Sequence, residues 1–235
     1  MRSAALLVLV VGALIAANEA IPTVNSWGDF RALLKSQGRT DAEIDGQVAA
    51  MLGSLKTMDR SVGNDLIGAI APGFEFDQWL NSKPMAITDL RGKVVLLRWW
   101  TDTCPLCAST SPALRKLHEQ YSSKGLTVIG VFHPKLGREK PLDVERVRQA
   151  VASRQYTFPV AIDWEWRTLK NWWLDSRPKG VRVPTSVTFI LDKKGVVRYV
   201  HPGMEYHDGP ASEEHAACEN DMSAIRAMVD RLITE

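Results

Sequence analysis

The stretch K-V-V-L-L-R-W-W-T-D-T-C-P-L-C, residues 93–107, constrains the chain most. A run this densely apolar suits a strand in the middle of a sheet, covered on both faces. It leads directly into Cys104-Pro105-Leu106-Cys107. Proline is at home in the first turn of a helix, where its missing N–H costs nothing. The stretch therefore predicts a buried strand, a sharp turn, and a helix that begins at a cysteine pair. Cys104, Cys107 and Cys218 are the chain's three cysteines. A pair two residues apart closes too small a loop to stabilise a fold by chain entropy. The pair is expected to serve chemistry.

A helix starting at Cys104 points unpaired N–H groups and its positive dipole end at that sulfur, which favours the nucleophilic thiolate. Cys107 follows one turn later on the same side and is expected to be more shielded. Such a pair can cycle between dithiol and disulfide, Cys104 attacking and Cys107 resolving. Half of a zinc knuckle is the competing reading, but no second Cys-x-x-Cys supplies the other ligands.

Strands alternate with helices along the rest of the chain. Short strands are expected at 74–76 and 85–87, buried strands at 126–132 and 158–162, and an amphipathic helix at 142–154. A helix at 164–174 is rich in Trp, a hairpin joins 186–191 to 196–200, and a last helix spans 220–233. This order predicts one α/β sheet of mixed direction. Trp99 and Trp100 are expected to meet opposite faces of it as core residues, with Trp164, Trp166, Trp172 and Trp173 packing beside them.

Ahead of the sheet, residues 21–64 read as a helical extension. Asn25 or Ser26 caps a short helix, and Thr40-Asp41-Ala42-Glu43 fits a capping box. Ile44, Val48, Met51, Leu52 and Leu55 then form one apolar stripe. Residues 1–20 combine Arg2 with an apolar run at 4–17 and small residues beyond it, the pattern of an export signal or an uncleaved anchor. Residues 65–235 are left as the main domain. A formal charge of +2 with scattered basic residues gives no nucleic-acid footprint.

The quoted stretch, with L-T-V-I-G-V-F, F-P-V-A-I-D and V-P-T-S-V-T-F-I-L-D-K-K-G-V-V, resembles the periplasmic thiol-disulfide oxidoreductases of the thioredoxin-like superfamily, the TlpA-like or redoxin group. The resemblance implies a thioredoxin fold with a helix-strand insertion at 142–162. It implies catalysis by Cys104 and Cys107 with no cofactor beyond their redox-active disulfide. It also implies a cis-proline at Pro184 facing the pair, with Val183 beside it pairing with the substrate chain. Val183, Pro184 and Thr185, with Pro105 and Leu106, are the expected substrate contacts. The partners it implies are thiol- or disulfide-bearing proteins or a membrane redox donor, in the periplasm or a similar exported location, possible tethering to the inner membrane included. One departure stands out. Arg98 occupies the position, six residues before the first cysteine, where thioredoxins carry a buried Asp. Near the sulfurs a cation there tunes the pair toward thiolate; otherwise its head escapes to the surface.

The loop after the hairpin, H-P-G-M-E-Y-H-D-G-P-A-S-E-E-H-A-A-C, holds His201, Glu205, His207, His215 and Cys218. Three readings stand open for it: a polar surface loop, a third redox thiol at Cys218, and a copper or zinc site using Cys218 with His215 or His207. His133, at the end of a predicted strand, reads as a loop residue. Two further function classes compete with the oxidoreductase. One is a copper- or zinc-handling protein on the same fold. The other is a thiol peroxidase suggested by Thr101-x-x-Cys104, although Leu97 stands where that pattern has proline.

Overall fold

The computed structural model describes residues 20–175, 185–209 and 216–235. The expected leader at 1–20 (all but its last residue), together with Val183, Pro184 and His215, lies outside them. No helix among the described residues is long and apolar enough to cross a membrane.

Two helices come first, α1 (Trp27–Ser36) and α2 (Asp41–Thr57). Ser26 caps α1 by accepting from the Asp29 N–H. Thr40 and Glu43 close a complete capping box on α2. Of the expected α2 stripe, Ile44, Val48 and Leu55 are buried, but Leu52 is 43% exposed because the stripe is too wide for the surface it covers.

Six strands then build one sheet: β1 (Gln78–Leu80), β2 (Val94–Trp100), β3 (Leu126–Phe132), β4 (Val160–Ile162), β5 (Thr188–Leu191) and β6 (Val197–His201). Their spatial order is β1-β4-β3-β2-β5-β6. The β2–β3 and β3–β4 pairs are parallel, and the other three pairs are antiparallel. The strand expected at 74–76 is absent. Phe74 and Phe76 instead stack with Trp79 and Trp172 in an aromatic layer, and pairing begins at Gln78. Residues 85–87 also form no strand; Ile87–Leu90 closes into a single tight turn with Asp89 bonded to the Ala86 N–H.

Helices cover both faces. α3 (Pro105–Tyr121), α4 (Val144–Ser153) and α6 (Ala216–Thr234) bury Leu114, Leu117, Val147, Ile225 and Val229 against Leu96, Trp100, Val128 and Ile190. On the opposite face α5, Arg167–Leu169 continued by a wider turn at Lys170–Leu174, brings Leu169, Trp172 and Trp173 onto Leu97, Trp99, Val131 and Phe189. Trp99 and Trp100 thus serve opposite cores, as strand alternation requires. Every residue of β2 is buried, Arg98 included.

Register places Gly130 of β3 opposite Arg98. A Cβ at Gly130 would lie 3.1 Å from both Phe158 and the Trp100 indole nitrogen, so glycine lets those rings close over the strand. Gly130→Val is expected to cost about 2 kcal/mol by overpacking, read as a lower urea midpoint at unchanged m-value.

Candidate active site

β2 ends at Trp100, and α3 starts five residues later. Cys104 is the N-cap of α3, extended in backbone, and its Sγ accepts the Cys107 N–H at 3.3 Å. Pro105 takes the first helical position. The strand–turn–helix expected from the sequence is therefore present, and the cysteines sit at the carboxyl end of β2. Both are free thiols. Cys104 is 9% exposed and Cys107 2%. Leu106 turns into the core between them.

Arg98 does not escape to the surface. Its guanidinium is fully buried and donates to the carbonyls of Ser186 and Met204 and to Thr188 Oγ1 at 3.3 Å. It lies 5.1 Å from the centre of the Tyr206 ring. No carboxylate among the described residues pairs with it. A second buried cation, Arg154 at the end of α4, donates to Ser111 Oγ and to the carbonyls of Val24 and Thr101. It also covers the Trp100 ring at 5.2 Å.

These cations act on the sulfurs. Hydrogen bonding from Cys104, reinforced by the positive potential of Arg98 and Arg154, outweighs burial and brings Cys107 down to about 5. The same hydrogen bond and burial push Cys104 well above its ordinary value. The two sulfurs therefore share one proton, and the first ionisation belongs to the pair. Helix-terminus reasoning expected the low value at Cys104; the hydrogen bond between the two sulfurs, with the buried arginines beside it, places it at Cys107.

Next to the pair, Asp102 is wholly buried and bound bidentately by Arg146 at 2.6 and 2.9 Å. It also accepts from the Thr101 hydroxyl at 3.2 Å. The Asp102 carbonyl in turn accepts the Val24 N–H at 2.7 Å, which ties the N-terminal segment to the active-site turn.

The outcome is a cleft of about 250 Å³. Thr103, Cys104 and Pro105 form one side, Lys135 and Leu136 another, and Phe30, Leu33, Leu34 and Met51 of the N-terminal helices the third. Sequence reasoning found no chemistry in those helices. Their one signal was an apolar face larger than two short helices need for each other. Arg146, Arg154 and Asp102 gave no signal at all, since nothing local separates them from surface charges.

Thr185 is buried at the start of the segment leading into β5. His133 is fully buried, and burial holds its pKa well below the usual range. It packs at 5.2 Å from Trp166 as a neutral ring. Cys218 lies in the first turn of α6, which begins earlier than expected, at Ala216. Its Sγ is 3.7 Å from Glu205 Oε1, and His207 Nε2 is 3.7 Å from the same oxygen. Hydrogen bonding with Cys218 and then Glu205 raises His207 to about 10. Cys104 and Cys107 are not members of this group. His201, buried in β6, instead meets Asp221 at 3.2 Å, and Asp221 is also held by Arg60.

A family model described as AhpC/TSA matches residues 67–200. DipZ of Mycobacterium tuberculosis is 28% identical over 186 residues, which is 74% of this chain and 25% of that protein. The chain thus spans about a quarter of its length. The thiol-disulfide oxidoreductase ResA of Geobacillus thermodenitrificans is 30% identical over 137 residues, 58% of this chain and 70% of ResA. Among solved structures, a candidate thiol:disulfide interchange protein DsbE from Chlorobium tepidum superposes with a TM-score of 0.52 at 20% identity, covering 71% of this chain and 97% of that one. That likeness shows a shared thioredoxin-type fold.

In the reduced Cys218→Ser protein, thiolate absorbance is expected to rise by one equivalent with a midpoint near pH 5, from the Cys107 value of about 5. The second thiol stays protonated well above the ordinary thiol range. Arg98→Met removes a cation that favours the charged form, so the first midpoint should move up by about one unit or more. Two thiols titrating together near the ordinary value would overturn this electrostatic account.

Proposed function

The chain belongs to the AhpC/TSA family with a thioredoxin-type fold, and from that premise we propose that it is an exported thiol-disulfide oxidoreductase acting through Cys104 and Cys107. The observation that carries the reading is the cysteine pair at the start of α3, sharing one proton under two buried arginines. Structural cysteines have no use for that arrangement. The relatives named as thiol-disulfide oxidoreductases support it.

Cys104 is the attacking sulfur, being the more exposed and the one that lines the cleft. The shared proton passes from Cys104 to Cys107 along the hydrogen bond between them, and the Cys104 thiolate so formed attacks a substrate disulfide. A Cys104–substrate bond forms, the substrate bond breaks, and the departing sulfur leaves as a thiolate that collects the proton. The Cys107 thiolate then attacks Cys104 Sγ, closes the intramolecular disulfide and expels the second substrate sulfur. Two electrons pass to the substrate; the reverse sequence oxidises a dithiol. No cofactor beyond the two cysteines enters this cycle.

Arg98 and Arg154 stabilise thiolate, hence the reduced form, which poises the pair toward accepting electrons. The wall of Phe30, Leu33, Leu34 and Met51, flanked by Gln37 and Gln47, favours a segment of a protein substrate that offers apolar side chains over a small polar disulfide. Val183, Pro184 and Thr185 are proposed as further substrate contacts, with the Val183 backbone pairing with the substrate chain. Residues 1–20 are proposed as the export signal or membrane anchor, which places the pair in an oxidising compartment. The peroxidase alternative loses support because the Thr101 hydroxyl is already engaged by Asp102.

Cys107→Ser is expected to accumulate a mixed disulfide on Cys104 when mixed with a disulfide-bearing peptide, detected by non-reducing mass spectrometry. Cys104→Ser should form none at a comparable rate. Equal trapping on Cys107, or none in either variant, would remove the proposed order of attack.

A further inference from the structure

The segment after β6 uses alternate residues for different tasks. Tyr206 points inward: its ring is fully buried, its hydroxyl is 3.2 Å from Thr188 Oγ1, and its N–H donates to Thr110 Oγ1 at 3.3 Å. The flanking residues Glu205 and His207 both reach Cys218 in the first turn of α6. One carboxylate oxygen, one imidazole nitrogen and one sulfur lie within 4.8 Å of one another. Glu205 Oε1 is 3.7 Å from each of the other two donors.

We propose that Glu205, His207 and Cys218 form a binding site for a borderline divalent metal ion, Zn²⁺ foremost, separate from the Cys104–Cys107 pair. The spacing fits. Donors about 2.0–2.3 Å from a tetrahedral ion stand roughly 3.3–3.8 Å apart, and two of the three gaps already match that at 3.7 Å. The donor set also fits. Thiolate and imidazole select against calcium and magnesium and suit zinc, cobalt or copper.

A second observation points the same way. Glu205 is 4% exposed, and its Oε2 has no hydrogen-bond partner among the described residues. A buried carboxylate oxygen left unpaired is costly, and a cation among the three donors that is held by both oxygens of the Glu205 carboxylate removes that cost. Three protein ligands leave one position open. Glu205 and His207 line a cleft of about 600 Å³ with Trp27, Ser109 and Lys116, through which water or a small ligand reaches that position. Asp208 at its rim is already paired with Lys116 and Arg226.

The test uses the full chain with Cys104 and Cys107 first closed as a disulfide, verified by mass spectrometry, so that neither can ligate. Titration with Co²⁺ is expected to give one equivalent of a species with thiolate-to-cobalt charge transfer and four-coordinate visible bands, displaced by Zn²⁺. Cys218→Ser should abolish the charge-transfer band. Glu205→Gln and His207→Asn should each weaken binding by about tenfold or more, a loss of about 1.4 kcal/mol. In the unmodified sequence Zn²⁺ should also slow alkylation of Cys218, a measurement that needs no variant to fold. Absence of a stoichiometric species, a band that survives Cys218→Ser, or alkylation indifferent to Zn²⁺ would each overturn the site and leave an ion pair of His207 with Glu205 in its place.

Discussion

A full positive charge in the middle of a fully buried strand is the constraint around which this structure is arranged. Burying an unpaired ion costs several kcal/mol even after relaxation. Arg98 meets that cost with the carbonyls of Ser186 and Met204, the Thr188 hydroxyl and the face of Tyr206. Those groups come from β5, the segment leading into it and the loop after β6. One guanidinium on β2 therefore ties down two stretches of chain, the start of β5 and the loop after β6, whose hydrogen-bonding residues lie 88 to 106 residues further on. What these neutral partners leave uncompensated is charge, and Cys107 supplies the anion. Arg154 repeats the device from α4, held by carbonyls of Val24 and Thr101. A pair of thiols beneath two cations that have no carboxylate partner among the described residues has its first ionisation built into the fold.

Much of this was legible because local pattern and global environment agree there. Residues 93–100 could only be a central strand, and the structure makes β2 from it. Cys104-Pro105 could only open a helix. The predicted strand at 126–132, the helix on 142–154 and the capping box at Thr40 correspond to β3, α4 and the start of α2 for the same reason. The aromatic stretch 74–76 misled because alternating apolar residues describe any layer with one buried face. Here the face stacks on Trp79 and Trp172 without backbone pairing.

The candidate site was only half legible. The sulfurs announce themselves by spacing, and Arg98 by standing in an apolar strand. The Asp102–Arg146 pair and Arg154 do not, since an arginine on an amphipathic helix looks the same whether it faces water or a neighbouring carbonyl. The cleft wall was hidden for another reason. Phe30, Leu33 and Leu34 satisfy the periodicity of a helix packing on its partner, and periodicity is silent about which second surface the same face reaches. Long-range contacts reveal the placement of the N-terminal helices against the active-site turn: the Val24–Asp102 hydrogen bond, the Arg154 bond to the Val24 carbonyl and the shared lining of the cleft.

The loop after β6 carries this logic furthest. In extended backbone, neighbouring side chains diverge, so one short segment can satisfy two clusters at once. The Met204 carbonyl and the Tyr206 ring serve Arg98, while Glu205 and His207 turn to Cys218 on α6. Moving the segment by one residue would exchange these roles and place a carboxylate beside Arg98. That carboxylate would neutralise the cation and leave the Cys107 thiolate without its support. The position of Tyr206, bonded on one side to Thr188 and on the other to Thr110, prevents the slip. Tyr206 thus keeps Glu205 away from the redox pair's cation, and the first ionisation of the pair depends on that separation.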